Sequence, residues 1–391
     1  MKDIIFSAAV LVSCASALPA APVRYSITDL GTLGGPIVYA FGAGDQPAAV
    51  GTSVVMPSAA FEAFLWNGTA IPLGTLPGSN QSHAFAVDAL GRVFGVSYNL
   101  GEFGGHAFRW ESGTMTDLGL FLPRAVNAAG QVVGVRPFVM PDGERQSRAC
   151  TWSNGVLTDL PALGGANSEA MGLDASGRIV GSAFNATNLQ SRPVLWANGA
   201  VTDLGTFGGA NGQAYSINGS GQVVGVAETA AGMPHAFLIT LSASNGVASR
   251  TDLGTLPGSD FSAAYAINES GVIVGNSDSR ATLWQDGAIH DLAGLVNNLD
   301  TWRLDAAAGI SSGGRIVGWG LHGDAYRAFI LVPACGGDAD ADGTVTFADI
   351  TAVLTHFNMA VAPYGAGDAN GDGQVDFADI TAVLASFGCG L

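Results

Sequence analysis

The chain has 391 residues, room for two or three domains, and is 48% hydrophobic with 56 glycines and only 12% charged residues, which excludes an intrinsically disordered chain. Its net charge of −17 repels phosphate backbones and anionic lipid, which argues against nucleic-acid and membrane-surface partners. Eight of the acids follow Cys335, where no Lys or Arg occurs, so part of the negative charge is local, and a local excess points to cations.

Residues 1–17 read as an export signal. Lys2 precedes the apolar run Ile4 to Val12, and Ala15-Ser16-Ala17 fits a small-residue cleavage site. The expected location is therefore extracellular or at the cell surface. Leu11-Val12-Ser13-Cys14 also resembles a bacterial lipobox, which would leave a lipidated Cys14 instead. No later stretch reaches about 18 consecutive apolar residues, so no transmembrane helix is expected. In an oxidising compartment Cys335 and Cys389, which bracket the C-terminal segment, are expected to form a disulfide. Cys150 occupies a slot that other repeats fill with Phe or another apolar residue, and reads as a buried, inert thiol.

From residue 18 to 334 one unit recurs. Its first element is Asp/Asn-x-x-Gly before an apolar pair and Gly: "DALGRVFG" from Asp88, "NAAGQVVG" from Asn127, "DASGRIVG" from Asp174, "NGSGQVVG" from Asn218 and "NESGVIVG" from Asn268. "SSGGRIVG" from Ser311 is looser and "DQPAAVG" from Asp45 is degraded. A second element of the type "AFLWNG" and a third of the type "TDLGTL" follow, the leucines of the third standing 39 to 49 residues apart. Asn67-Gly68, Asn154-Gly155, Asn198-Gly199 and Asp286-Gly287 favour two-residue hairpins with positive φ. Val, Ile, Phe and Trp around them suit strands. Each unit reads as four short strands, the size of a propeller blade.

"RYSITDL", residues 24 to 30, is a last-strand element with no unit ahead of it, and the seventh unit stops at Pro333 without its own last strand. Joining the two predicts an all-β, seven-bladed β-propeller of about 44-residue repeats, closed by the N-terminal strand without an exposed sheet edge. An open solenoid of β units is the alternative, and it leaves the orphan strand unexplained. The pattern "HAFxW…DLGTLGG", with His106-Ala107-Phe108 and His235-Ala236-Phe237, resembles the extracellular HAF repeats of bacteria. That resemblance implies secretion and no settled activity. His83-Ala84-Phe85 spells the same triplet in a first-strand slot, the third unit has "GLFLPR" in place of "GTLGG", and the fifth carries the insertion "TLSASNGVAS".

Residues 335–391 carry different chemistry. Asp338, Asp340, Asp342, Gly343, Thr344, Thr346 and Asp349 stand at positions 1, 3, 5, 6, 7, 9 and 12 of a loop. Asp368, Asn370, Asp372, Gly373, Gln374, Asp376 and Asp379 repeat them thirty residues later. Oxygen donors at alternate early positions, a glycine for the turn and a carboxylate reaching back from a helix form the EF-hand calcium pattern, so two Ca²⁺ ions are expected. "FADITAVL" follows each loop, with Ile350, Val353, Leu354, Phe357 and Ile380, Val383, Leu384, Phe387 forming apolar stripes able to pack together.

This segment resembles a type I dockerin, a small helical module of two loop–helix calcium motifs. The resemblance implies a cohesin-like partner, chosen through positions 10 and 11. Those positions are Phe347-Ala348 and Phe377-Ala378 here, the same pair twice, which implies two equivalent faces related by 180°. The helices lack the basic residues common in cohesin-binding dockerins, and no Pro/Thr-rich linker precedes the module. No catalytic motif appears; the recurring "TDLG" aspartates and His106 and His235 read as parts of the repeat. The leading reading is a non-catalytic binding protein with a protein or carbohydrate ligand on the propeller. The alternative is a glycoside hydrolase in polysaccharide degradation, drawing a carboxylate pair from Glu102, Glu144, Glu169 and Glu228.

Overall fold

The computed structural model describes residues 23–45, 49–339, 345–361, 367–370 and 373–387. The expected export signal, Cys14 and Cys389 lie outside them, as do Asp340, Asp342, Gly343, Thr344 and Asp372 of the expected calcium loops.

The fold is mostly β. After β1 (Tyr25–Asp29) the strands come in consecutive fours: β2–β5 (Gly34–Ala43, Ala49–Val55, Ala60–Trp66, Ala70–Gly74) and β6–β9 (Gln81–Val87, Val93–Tyr98, His106–Glu111, Thr114–Leu120). Next are β10–β13 (Leu122–Val126, Val132–Val139, Arg145–Ser153, Val156–Asp159) and β14–β17 (Gly164–Leu173, Ile179–Asn185, Ser191–Ala197, Ala200–Asp203). Then come β18–β21 (Gly208–Ile217, Gln222–Thr229, Pro234–Leu241, Val247–Gly254) and β22–β25 (Ser262–Ile267, Ile273–Ser277, Arg280–Gln285, Ala288–Asp291). After a short 3-10 turn follow β26 (Val296–Asn297) and β27–β29 (Trp302–Ile310, Ile316–His322, Ala325–Pro333). Each four is an antiparallel meander, the unit from which propellers are built. β29 pairs antiparallel with β1, in register from Tyr25↔Pro333 to Asp29↔Phe329.

The repeat motifs have local reasons. In the Asp/Asn-x-x-Gly turns the side-chain oxygen of residue one accepts from backbone N–H groups two and four residues on, as Asp88 does from Leu90 and Arg92 and Asn268 from Ser270 and Val272. The turn glycine has positive φ, for example 78° at Gly91 and 82° at Gly271, a region that disfavours side chains. Asn154-Gly155, Asn198-Gly199 and Asp286-Gly287 are two-residue turns with both φ positive; Asn67-Gly68 instead lies in a three-residue connection between β4 and β5. The insertion of the fifth unit lengthens β20 and β21 and leaves a loop of only residues 242–246.

The first strand of every four, and β27, holds an extra residue at a corresponding place, and β2, β14, β18 and β27 carry a second irregularity nearer their start. The register slips between Ala40 and Gly42, Ala84 and Ala86, Pro123 and Ala125, and Ala170 and Gly172. It slips likewise between Ala214 and Ser216, Ala264 and Ala266, and Ala307 and Gly309. These β-bulges explain the glycine of the "VVG" motif. A Cβ on Gly51, Gly95, Gly134, Gly181, Gly225, Gly275 or Gly318 would stand 1.9–2.1 Å from a first-strand carbonyl oxygen. The next strand lays an apolar side chain over that glycine: Phe64, Phe108, Phe237 and Phe329 lie opposite Gly51, Gly95, Gly225 and Gly318 and are fully buried. Cys150 holds the same slot opposite Gly134 and is fully buried and free.

The C-terminal segment contains α1 (Phe347–Thr355) and α2 (Phe377–Ala385). Val353 and Val383 are fully buried between them with Val345 and Val375, and Ile350 and Ile380 pack at the side. The expected stripes are narrower than their spacing implies: Leu354 and Leu384 are 58% and 59% exposed. Helices this short bury one row each, and the neighbouring row faces solvent. No helix among the described residues is long and apolar enough to cross a membrane.

Candidate functional site

The two C-terminal loops are built alike. Thr346 and Asp376, at position 9, cap α1 and α2 by accepting from the N–H of Ala348 and Ala378 at 3.1 and 2.7 Å. The position 12 aspartates reach back out of their helices. Asp349 accepts from Thr346 N at 2.7 Å and from Ala339 N at 2.7 Å. Asp379 accepts from Asp376 N at 2.8 Å and from Asn370 N at 3.0 Å. Each thus completes a capping box and crosses its loop to the far side. Asp349 and Asp379 are fully buried and Asp368 is 1% exposed. Asp368 accepts from Gly373 N at 2.9 Å, and Gly373 takes φ +82°.

Reciprocal contacts join the copies. Gly337 N donates to Ala369 O, and Gly367 N to Ala339 O, so the residues entering each loop bond the other loop. A Cβ on Gly337 would meet Ala382 O of α2 at 2.7 Å, and one on Gly367 would meet Ala352 O of α1 at 2.9 Å. Phe347 packs edge-on against Phe387, and Phe377 against Phe357, both at 5.0 Å. Phe347 and Phe377 remain 76% and 74% exposed, and Ala348 and Ala378 are exposed beside them. Cys335 is disulfide-bonded; Cys389 lies outside the described residues.

The donor chemistry fits a hard divalent cation, which takes about six to eight oxygen ligands. Three carboxylates here are buried in a segment with no Lys or Arg, and buried carboxylates need a compensating charge or a full set of hydrogen bonds. Among the described residues no group of three His, Cys, Asp or Glu side chains is gathered for a metal; four of the donor positions, Asp340, Asp342, Thr344 and Asp372, fall outside them.

A second site was not foreseen from the sequence. The bulged residues Phe41, Phe85, Arg124, Met171, Tyr215, Tyr265 and Ala308, one from each first strand and from β27, line a single cavity of about 290 Å³ together with Trp319. Around it Phe41 contacts Phe85 at 5.5 Å and Trp319 at 6.0 Å, and Tyr215 contacts Tyr265 at 5.5 Å. Arg124, the only charged lining group, lies over the Phe85 ring at 5.3 Å. Among the described residues its buried Nε has no hydrogen-bond partner, a state that costs about 1–3 kcal/mol. Burial raises the phenol pKa of Tyr215, helped by Tyr265 and Glu169, and that of Tyr265, so both stay protonated. The signal in the sequence was variability. Three residues before the turn Asp or Asn, in an otherwise constant motif, stand Phe85, Arg124, Met171, Tyr215 and Tyr265.

The remaining candidates are scattered. Glu102 precedes β8, Glu144 precedes β12, Glu169 is on β14 and Glu228 is on β19, four different sheets. Glu228 is held below the usual carboxylate range by hydrogen bonds from the Asn211 side chain and backbone and from Ala210 N. The "TDLG" aspartates accept from a backbone N–H two residues on, as Asp117 does from Gly119 and Asp252 from Gly254. They also pair across the strand, Asp117 with His106 and Asp252 with His235, each at 2.9 Å. Burial pushes the Cys150 thiol up to about 12, so it carries almost no thiolate at neutral pH.

No protein-family model matches the chain, and no curated protein matches it. Among solved structures it is similar to TolB from Acinetobacter baumannii, with 11% identity, a TM-score of 0.39, and coverage of 77% of this chain and 64% of that one. A puromycin-hydrolyzing peptidase from Mycobacterium tuberculosis gives 11% identity, a TM-score of 0.47 and coverage of 80% and 54%. The β-propeller domain of the Trilobed protease from Pyrococcus furiosus gives 10%, 0.35, and 70% and 97%. The chain thus spans 64% or less of the TolB and peptidase chains.

Proposed function

We propose that this chain is an exported, non-catalytic binding protein. A seven-bladed β-propeller, closed by its N-terminal strand, presents the interaction surface. A C-terminal dockerin-like module binds two calcium ions and attaches the protein to a cohesin-like partner or to the cell surface. Bulges from six first strands and from β27 lining one cavity, and the pairing of β1 with β29, support the ring.

The observation that carries the attachment role is the duplicated, buried position 12 aspartate, Asp349 and Asp379, each capping its own helix and spanning its own loop. The chain's own residues orient the donors: the capping boxes fix the carboxylates, and Gly373 turns the second loop. Calcium would add the positive charge that the segment lacks and hold the loop ends together, which couples folding of the module to the ion. The exposed Phe347-Ala348 and Phe377-Ala378 pairs, carried by reciprocal halves, support two equivalent faces for one partner.

Calorimetry of calcium into the full-length protein tests this reading. Two ions should bind per chain, and Asp338→Ala with Asp368→Ala should abolish both. Retention of a cohesin module on the immobilised protein should disappear in EDTA. Absence of any heat of metal uptake by the parent would remove the attachment role.

A further inference from the structure

We propose that the cavity lined by the bulged residues is a binding site for a small aromatic carboxylate, with Arg124 as its anchor. The inference rests on the convergence of the bulges and is independent of the calcium module.

The repeat holds its turn residues and its second-strand glycine nearly constant, because turn geometry and close packing demand them. The bulged residue is under neither demand. It is the extra residue, with no cross-strand partner, and its side chain enters the cavity. If that position served packing alone, one residue type would suffice. Instead it holds Phe, Arg, Met, Tyr and Ala, a mixed lining of the kind a ligand site has.

The chemistry of the lining narrows the ligand. Phe41, Phe85, Tyr215, Tyr265 and Trp319 line the cavity and are half-buried. Five aromatic groups around about 290 Å³ suit one flat, largely apolar body. The guanidinium of Arg124 adds a planar fork of donors, stacked on Phe85, and its buried Nε has no partner among the described residues. Such a fork matches a carboxylate bidentately. Among the described residues no acid lines the cavity, although Glu169 is near enough to act on Tyr215. Two arginines of the repeat turns are engaged instead, Arg92 with Asp88 and Arg178 with Asp174, each at 2.6 Å. A uronic acid offers the same carboxylate but brings several hydroxyls, for which this apolar lining has few partners.

Isothermal titration of the full-length protein with benzoate, benzamide and glucuronate tests the assignment. Benzoate should bind saturably at one site, and benzamide, of the same shape without the charge, about tenfold or more weakly. Arg124→Gln should erase the preference for benzoate over benzamide without lowering the thermal midpoint. Arg124→Lys should restore part of it. Equal binding of benzoate and benzamide, or undiminished benzoate binding by R124Q, overturns the role of Arg124. Preference for glucuronate overturns the aromatic class, and no saturable benzoate binding overturns the site. Calcium uptake by the same samples reads the C-terminal module separately, so the two proposals fail independently.

Discussion

At the scale of single residues, the chain uses polar groups to fix strand ends and gives those it buries local partners. His83 is the clearest case. It stacks on Tyr98 at 5.5 Å and contacts the Tyr98 hydroxyl through Nε2 at 2.7 Å. Burial lowers its pKa from 6.5 to about 4. Between those values the unfolded chain binds a proton that the folded chain refuses. Stability is therefore fully present above pH 6.5 and is lost as pH falls towards 4. The contribution is at most about 3 kcal/mol, less for the solvent-screened part of the ring. Urea unfolding of the parent and of His83→Phe across this range measures it. The parent should lose stability relative to the variant as the medium becomes acidic; two parallel curves would mean that His83 is not the group responsible.

At the scale of elements, the β-bulge opposite a glycine is the device that every first hairpin shares. Gly225→Ala would set a methyl 2.0 Å from Gln213 O and within 2.9 Å of the Phe237 ring. Strand separation or loss of the bulge must follow, at a cost of roughly 3 kcal/mol. Gly246→Ala is the control, because its Cβ would meet only Ser242 Oγ at 3.4 Å, and it should stay within about 0.5 kcal/mol of the parent. Chemical denaturation of both variants checks the pair, and equal stabilities would show that the sheet yields there. This element also marks what could be read in advance. The turns were legible because positive φ selects Asn and Gly, and the likeness of the two C-terminal loops because their spacing is kept in both copies. The bulges were not, because one extra residue leaves the local composition unchanged. Leu354 and Leu384 misled because helical periodicity names a face but not how much of it a nine-residue helix covers.

At the scale of the whole molecule, β1 pairs with β29 across some 300 positions of chain. Tyr25 is buried in the core cluster that contains Trp302, Phe329 and Leu331, while Leu30 belongs to the next cluster, with Val38 and Phe64. The segment from Tyr25 to Leu30 therefore joins two core clusters. Its ends are fastened by hydrogen bonds from Ala334 N to Arg24 O at 2.7 Å and from Leu30 N to Ala328 O at 3.1 Å, and Asp29 meets His322 at 3.1 Å. In a closed ring, removing it exposes the edge of β29 and opens both clusters. In an open solenoid the same strand is a dispensable edge. Deleting residues 18–30 should lower the thermal midpoint by about 10 °C or more, given the several kcal/mol held by Tyr25 and Leu30. A synthetic peptide of residues 23–31 should recover part of the loss by re-pairing with β29. A deletion variant that melts with the parent, and that ignores the peptide, would mean the sheets close without their N-terminal strand.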